Sequence, residues 1–333
     1  MSNLSISIVI PTFQRPDDLV AAVRSVFTQT MLEKTSCSLV IVDNDPEASA
    51  AEVIEQLREE APKNLTFIAA HEPRAGVANA RNCAMEHVST DLIAFLDDDQ
   101  SAANDQWLEK LYALHLELKP TVVFGPLVSV LPDSVIKHRA YFKRFFGRHD
   151  PSPRGFIEDF HGGCNTLIDV AKLPQRRPLF DTSTNETGGE DDALFADIRK
   201  INGTFAWEPH APVYERVPKR RARLGYTLRR AVVYGQGPTF HARREKKYHV
   251  LLGWMLIGFF KMLWHGFRAG IGYIFKLENR ADQLDKAIRG LGKVFFWRSF
   301  ALYGAPALRD ASLISQDEVT VAPGAEKLNG TMP

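Results

Sequence analysis

Along the first hundred positions, apolar residues fall into short alternating or continuous runs separated by longer stretches with helical spacing. ISIVIPT (6–12), SLVIVD (38–43), LTFIAAH (65–71) and DLIAFLDDD (91–99) read as strands, with helices expected over about 17–30, 49–60 and 77–87. Short buried strands alternating with helices of ten or more residues predict βαβ units, a parallel sheet and right-handed crossovers. In such a sheet the loops after the strand C-termini form the ligand crevice. PTFQRP, VDND, EPRAG and DDDQ all fall there, so four polar clusters far apart in sequence are expected on one edge.

Beyond residue 120 the pattern loosens. VVFGPLVSVL is strand-like, 132–160 is rich in aromatic and basic residues, and HGGCNTLI (161–168) reads as a glycine turn entering a strand. GGEDDALFADIRKI (188–201) has acids in a first helical turn and apolar Leu194, Phe195 and Ile198 behind them, which predicts a helix start. The most apolar stretch is 249–276, whose charge-free core from Val250 to Phe260 falls short of the ~20 residues a spanning helix needs. As a helix it would place Lys261, His265 and Arg268 on one face, toward lipid headgroups. Trp254, Phe259, Leu263 and Phe267 would face acyl chains, so the segment is expected to lie in a membrane interface. KVFFWRSF (293–300) repeats that composition, and the competing reading is a core helix or dimer contact. The domain reading is therefore 1–235 as a catalytic unit, 236–304 as a basic, apolar helical segment and 305–333 as a disordered tail.

Composition adds one contrast. Among 333 residues the net charge is only +1, yet 215–300 carries about 19 Lys/Arg against about 5 Asp/Glu, leaving 1–214 acidic. VPKRRARLGYTLRR (217–230) suits a diphosphate or an anionic bilayer. No nucleic-acid-binding motif accompanies it, so nucleic acid is not an expected partner. Cys37, Cys83 and Cys164 are odd in number and lack metal or redox spacing, which fits reduced thiols in a cytosolic setting. MSNLSISIVIPTF is not a signal peptide, so the catalytic part is expected on the cytoplasmic side, peripheral or monotopic.

The chemistry centres on FLDDDQ (95–100). Three consecutive carboxylates repel one another unless water, salt or a bound cation offsets them, and Mg²⁺ or Mn²⁺ takes such oxygens together with substrate phosphates. In an extended backbone Asp97 and Asp99 project to one side and reach one ion, while Asp98 points elsewhere, at a ribose hydroxyl or a structural donor. In GGEDD, capping alone would explain one acid but not Glu190, Asp191 and Asp192 together. His210 in WEPHAP is a further candidate ligand.

These motifs, in this order and spacing, resemble the inverting GT-A-fold glycosyltransferases of family 2 over about residues 5–235. The GGEDD–VPKRRA–RR layout is similar to the branch that includes succinoglycan-type glucosyltransferases. The resemblance implies an α/β GT-A fold, a nucleotide-diphospho-sugar donor, expected to be a UDP-hexose, and a cation held through Asp97 and Asp99. It implies that Pro11, Thr12 and Asp43 line the nucleobase and ribose pocket, with Arg74 and Arg81 nearby. It further implies that Gly162, Gly163 and Asn165 lie near donor sugar and acceptor, and that Asp191 is the general base, with Glu190 and Asp192 adjacent. Asn44, where many members carry Asp, is a departure. A lipid-linked, polyprenyl-diphosphate or glycan hydroxyl is the expected acceptor. Nucleotidyl transfer and non-catalytic binding are the alternatives: the first leaves GGEDD without a task, and the second would be favoured by a missing carboxylate, of which there is none.

Overall fold

The computed structural model describes residues 4–185, 188–295 and 297. Strands β1 (Ile6–Thr12), β2 (Cys37–Asp43), β3 (Leu65–His71) and β4 (Leu92–Phe95) alternate with helices α1 (Pro16–Phe27), α2 (Ala51–Glu60) and α3 (Val77–Glu86). They pair in parallel in the order β3-β2-β1-β4, the topology the apolar pattern predicts. Period-two geometry decides which side chains go where. Ile6, Ile8 and Ile10 pack with α1 and α2 on one face, whereas Val9, Val40 and Val42 meet α3 on the other.

The chain continues through β5 (Gln100–Ala102), α4 (Trp107–Leu118), β6 (Val122–Phe124), β7 (Leu127–Val130), α5 (Arg139–Phe146), β8 (Gly155–Ile157), β9 (Thr166–Asp169), α6 (Glu190–Lys200), β10 (Phe205–Trp207) and β11 (Val213–Arg216). β9 inserts antiparallel between β4 and β6, and β10 and β8 complete an eight-stranded mixed sheet. VVFGPLVSVL, expected as one strand, divides at Gly125–Pro126 because proline has no N–H for a ladder. Its first half joins the large sheet, and its second half pairs with β11 in a small sheet ordered β5-β11-β7. That small sheet adjoins the three aspartates, since β5 begins at Gln100 and the Arg216 N–H donates to the Asp99 carbonyl.

The C-terminal described region is three helices, α7 (Leu224–Arg244), α8 (Tyr248–Ile274) and α9 (Arg280–Val294). The boundary expected at residue 235 falls inside α7, and Gly235 there packs against the α9 backbone. α8 and α9 touch along Gly258 and Gly290, where a Cβ on Gly290 would stand 2.6 Å from the Gly258 carbonyl and 2.7 Å from the Met262 nitrogen. α9 is tied to α5 by Tyr141, which donates to Asp285 at 3.2 Å, and by a two-pronged Arg144–Asp282 pair at 2.9 and 2.6 Å. The expected headgroup face needs one correction. His265 points not outward but onto α9, bonded to Gln283 at 2.8 Å, because the stripe of Leu251, Gly258 and Ala269 turns that side of α8 inward. Phe259, Leu263 and Phe267 are exposed as expected, while Trp254 is half-buried beneath Lys293. The tail expected over 305–333, and most of KVFFWRSF, lie outside the described residues.

Replacing Gly290 by Leu should separate α8 from α9 at a cost of about 1–3 kcal/mol, read as a lowered urea midpoint.

Candidate active site

The site grows from strand ends. At the end of β4 the chain turns through Asp97, Asp98 and Asp99 into β5, beside the end of β1. Asp98 is buried, and it accepts from the Thr12 hydroxyl at 3.0 Å, the Phe13 backbone N–H at 3.3 Å and Arg15 at 2.9 Å. Burial pushes it up to about 6 against the pull of Arg15. Of the two roles open to Asp98, its present contacts are those of a structural acceptor. Asp99 uses one oxygen, Oδ2, to accept from both Arg15 at 2.8 Å and Arg221 at 3.2 Å. Asp97 is more open, with about a third of its side chain exposed, and its cationic neighbour is Arg81 at 3.7 Å. Burial, and then the charges of Asp99 and Asp191, raise its pKa, with Arg81 opposing.

Arg81 is the centre of the arrangement. It comes from α3, is 4% exposed, lies over the rings of Phe95 and Phe180, and pairs with Glu190 at 2.7 Å. One side chain therefore bridges the 97–99 turn and the start of α6, which brings together the two acidic groups that the sequence separates by ninety residues. Despite this ion pair, Glu190 is pushed up to about 7, because burial and the neighbouring Asp191 outweigh Arg81. Asp191 accepts from the Gly163 N–H at 2.6 Å through Oδ2 and from the Asp192 N–H at 2.8 Å through Oδ1. Asp192 reaches solvent, yet displacement of water by surrounding protein, followed by the charges of Asp191 and Glu190, pushes it up to about 7. Gly163 has to be glycine here, since a Cβ would come within 2.9 Å of the Arg81 guanidinium and of Asp191. Gly189, with φ of 92°, supplies the left-handed turn that aims the acids of α6 inward.

Other expected residues take different places. Asp43 gives both oxygens to backbone, accepting from Asp45 at 3.0 Å and Ala50 at 2.8 Å, and so shapes the rim after β2. Pro11, in β1, pairs with Val42 beside it. Arg74 is exposed and held by Glu72 at 2.8 and 2.6 Å, whereas Arg81 is buried and paired with Glu190 and Asp97. Asn44 donates to the Glu72 and Arg74 carbonyls and accepts from the Gly76 N–H, which accounts for the departure from Asp: a carboxylate could not make the two donations. Asn165 corrects a prediction. It is fully buried, donates to the Pro126 and Ala211 carbonyls and accepts from Trp107 at 2.8 Å, so its amide braces the loop and is closed to a ligand. His210 is exposed and bonded to Glu208 at 3.0 Å.

Two residues near the aspartates were missed by the sequence reading. Glu215, opposite Gln100 in the small sheet, is pushed up to about 8 by burial and by the charges of Asp99 and Asp97. Its only sequence trace is a lone acid in a strand. Arg15 stood in plain view inside PTFQRP. Among the described residues no three His, Cys, Asp or Glu groups stand together in metal-holding geometry. The donor chemistry does fit a hard divalent cation, since Asp97 and Asp99 offer carboxylate oxygens in a cluster with excess negative charge. Asp97 is open to one, and Asp99 would share with it a carboxylate whose Oδ2 already carries two arginines.

Residues 7–174 match the model described as Glycosyl transferase family 2. The chain belongs to that family. It is 32% identical, over 70% of its length and 74% of the relative, to the succinoglycan biosynthesis protein ExoM of Rhizobium meliloti. It is 30% identical to the glycosyltransferase AglE of Haloferax volcanii over about a third of each chain. Among solved structures, the mannosyltransferase PcManGT of Pyrobaculum calidifontis, in complex with GDP-Man and Mn²⁺, aligns over 94% of this chain and 80% of its own, at 16% identity and TM-score 0.52. TarS 1–349 of S. aureus, in complex with UDP, aligns over 87% and 90% at 13% identity and TM-score 0.51. The family 2 glycosyltransferase thus has the GT-A fold, with one described helix, α8, long and apolar enough to cross a membrane.

The raised acids set the pH dependence of stability. Glu190, Asp192, Asp98 and Glu215 titrate near 4 when unfolded but at about 7, 7, 6 and 8 when folded, so the native state holds extra protons between these limits. Their contribution is complete below pH ~4 and is lost as pH rises through 6 to 8. The melting temperature should therefore fall across pH 5–8.5, and Glu190→Gln should flatten the slope; an unchanged slope would remove Glu190 from this account.

Proposed function

We propose that this family 2 enzyme is a cation-dependent inverting glycosyltransferase that moves one sugar from a UDP-hexose to a hydroxyl of a lipid-linked or glycan acceptor in cell-surface polysaccharide synthesis. The observation that carries the reading is the Arg81 bridge, which sets the 97–99 carboxylates beside Asp191. Asp191 is the general base: its Oδ2 is oriented by the Gly163 N–H and takes the acceptor proton as the hydroxyl oxygen bonds to the anomeric carbon. The bond from that carbon to the diphosphate breaks on the opposite face, and UDP leaves. Asp97 and Asp99 would hold Mg²⁺ or Mn²⁺, which when bound would supply positive charge against the leaving diphosphate. The UDP-hexose assignment rests on the layout of the GGEDD and basic motifs, and the place in polysaccharide synthesis is supported by the relationship to the succinoglycan biosynthesis protein ExoM. Asp191→Asn should lower turnover by at least 100-fold while leaving UDP affinity nearly intact by calorimetry, and near-normal turnover would reject Asp191 as the base.

We further propose that α8 rests on an anionic, cytoplasmic membrane surface. Its outward side carries Phe260, Phe267 and Ile274, each about two-thirds or more exposed. Spanning is disfavoured because α9 packs along α8, and a bilayer core would then have to take up Asp282, Lys286 and Arg289 of α9. The neighbouring basic residues of α7 and its approach suit anionic headgroups. The protein should float with phosphatidylglycerol vesicles, and Phe260→Glu with Phe267→Glu should leave it unbound while donor hydrolysis in solution persists. Failure of the parent protein to float would reject the membrane surface.

A further inference from the structure

The contacts of Asp99 ask for an explanation that the proposed function does not give. Its Oδ2 accepts from two guanidinium groups at once, Arg15 at 2.8 Å and Arg221 at 3.2 Å, and a carboxylate oxygen has about two acceptor directions. A hard cation on either oxygen of the same carboxylate would meet the positive charge of both guanidiniums.

The two arginines are placed very differently from Arg81. Arg81 is enclosed, whereas the Arg15 and Arg221 side chains are 25% and 18% exposed and border the crevice. Both stand on well-held backbone. Arg15 immediately precedes α1, and its carbonyl accepts from Leu19. Arg221 lies in a turn closed on Pro218, between buried Val217 and Ala222. Arg15 keeps a second partner in Asp98, which in turn is satisfied by Thr12 and Phe13. Release from Asp99 thus leaves no buried group without a partner. Arg221 has Glu215 nearby as a further acid.

We propose that Arg15 and Arg221 are the clasp for the donor's diphosphate, parked on Asp99 until a divalent cation takes that carboxylate. This rests on the donor reading above. A carboxylate already served by two guanidiniums would hold a divalent cation against like-charge repulsion, which would move the arginines off. Once free, each presents a planar fork of N–H donors matched to phosphate oxygens. The same residues then balance the negative charge of the diphosphate, and cation and arginines cease to compete when donor is bound. Binding of cation alone is consequently weakened by the arginines, while binding of UDP is strengthened by them.

That opposition of signs is the test. The full chain, Arg221→Gln and Arg15→Lys would be titrated calorimetrically with UDP and with uridine, and with Mn²⁺ alone by electron paramagnetic resonance. The variants should bind UDP roughly 10- to 100-fold more weakly, uridine unchanged, and Arg221→Gln should bind Mn²⁺ more tightly than the parent. Arg221→Lys, which keeps the charge but not the fork, covers the case in which the glutamine variant fails to fold: it should also weaken UDP and spare uridine. Unchanged UDP affinity, or Mn²⁺ affinity that stays equal or falls, overturns the clasp. A parent protein that binds neither UDP nor uridine would instead overturn the donor reading.

Discussion

One buried cation organises this protein. Asp97, Glu190 and Asp191 bring like charges together, Glu190 buried and the two aspartates half-exposed, and their repulsion with the desolvation of Glu190 opposes the meeting of the turn after β4 and the start of α6. Arg81 makes the meeting possible. It reaches in from α3 between two aromatic rings, and its charged form is held because Glu190 and Asp97 offset the cost of burial. Three elements distant in sequence are therefore joined through one guanidinium, which links Asp97 of the turn to Glu190 at the start of α6.

The other arginines form an outer tier with a different physical character. Arg15 and Arg221 are partly solvated, so their ion pairs are easier to exchange than that of Arg81. Fixed inside and exchangeable outside is the order that the proposed divalent cation and diphosphate would require. Arg221 also belongs to the segment leading into α7. The acidic catalytic unit and the basic helical unit are thus continuous at the active site, and α9 fastens them again through α5. The exposed side of α8 is presented by a rigid assembly whose glycine contacts leave little room for the helices to slide.

Much of this was legible from residue order. The first four strands were readable because a buried parallel strand must be apolar and short, and β1 and β3 match their expected limits to the residue. The clustering of PTFQRP, VDND and DDDQ followed from parallel topology alone. The role of Asn165 was not legible, because polarity in a loop looks the same whether the side chain faces a ligand or braces backbone. Asn165 proved to satisfy two carbonyls and an indole, and His210 was drawn onto a glutamate two residues back. The inward turn of His265 depended on a partner helix that the period of α8 does not specify.

The sequence by itself determined the order of elements, the edge on which the chemistry gathers and the identity of the acids, since these depend on local periodicity and on the few ways right-handed crossovers can be arranged. Tertiary structure alone decided the pairing of charges: Arg81 with Glu190, Arg15 and Arg221 with Asp99, and Glu215 behind the aspartates. Coulomb energies depend on separation in space and on the water that burial removes, and neither quantity is written in the spacing of residues along a chain.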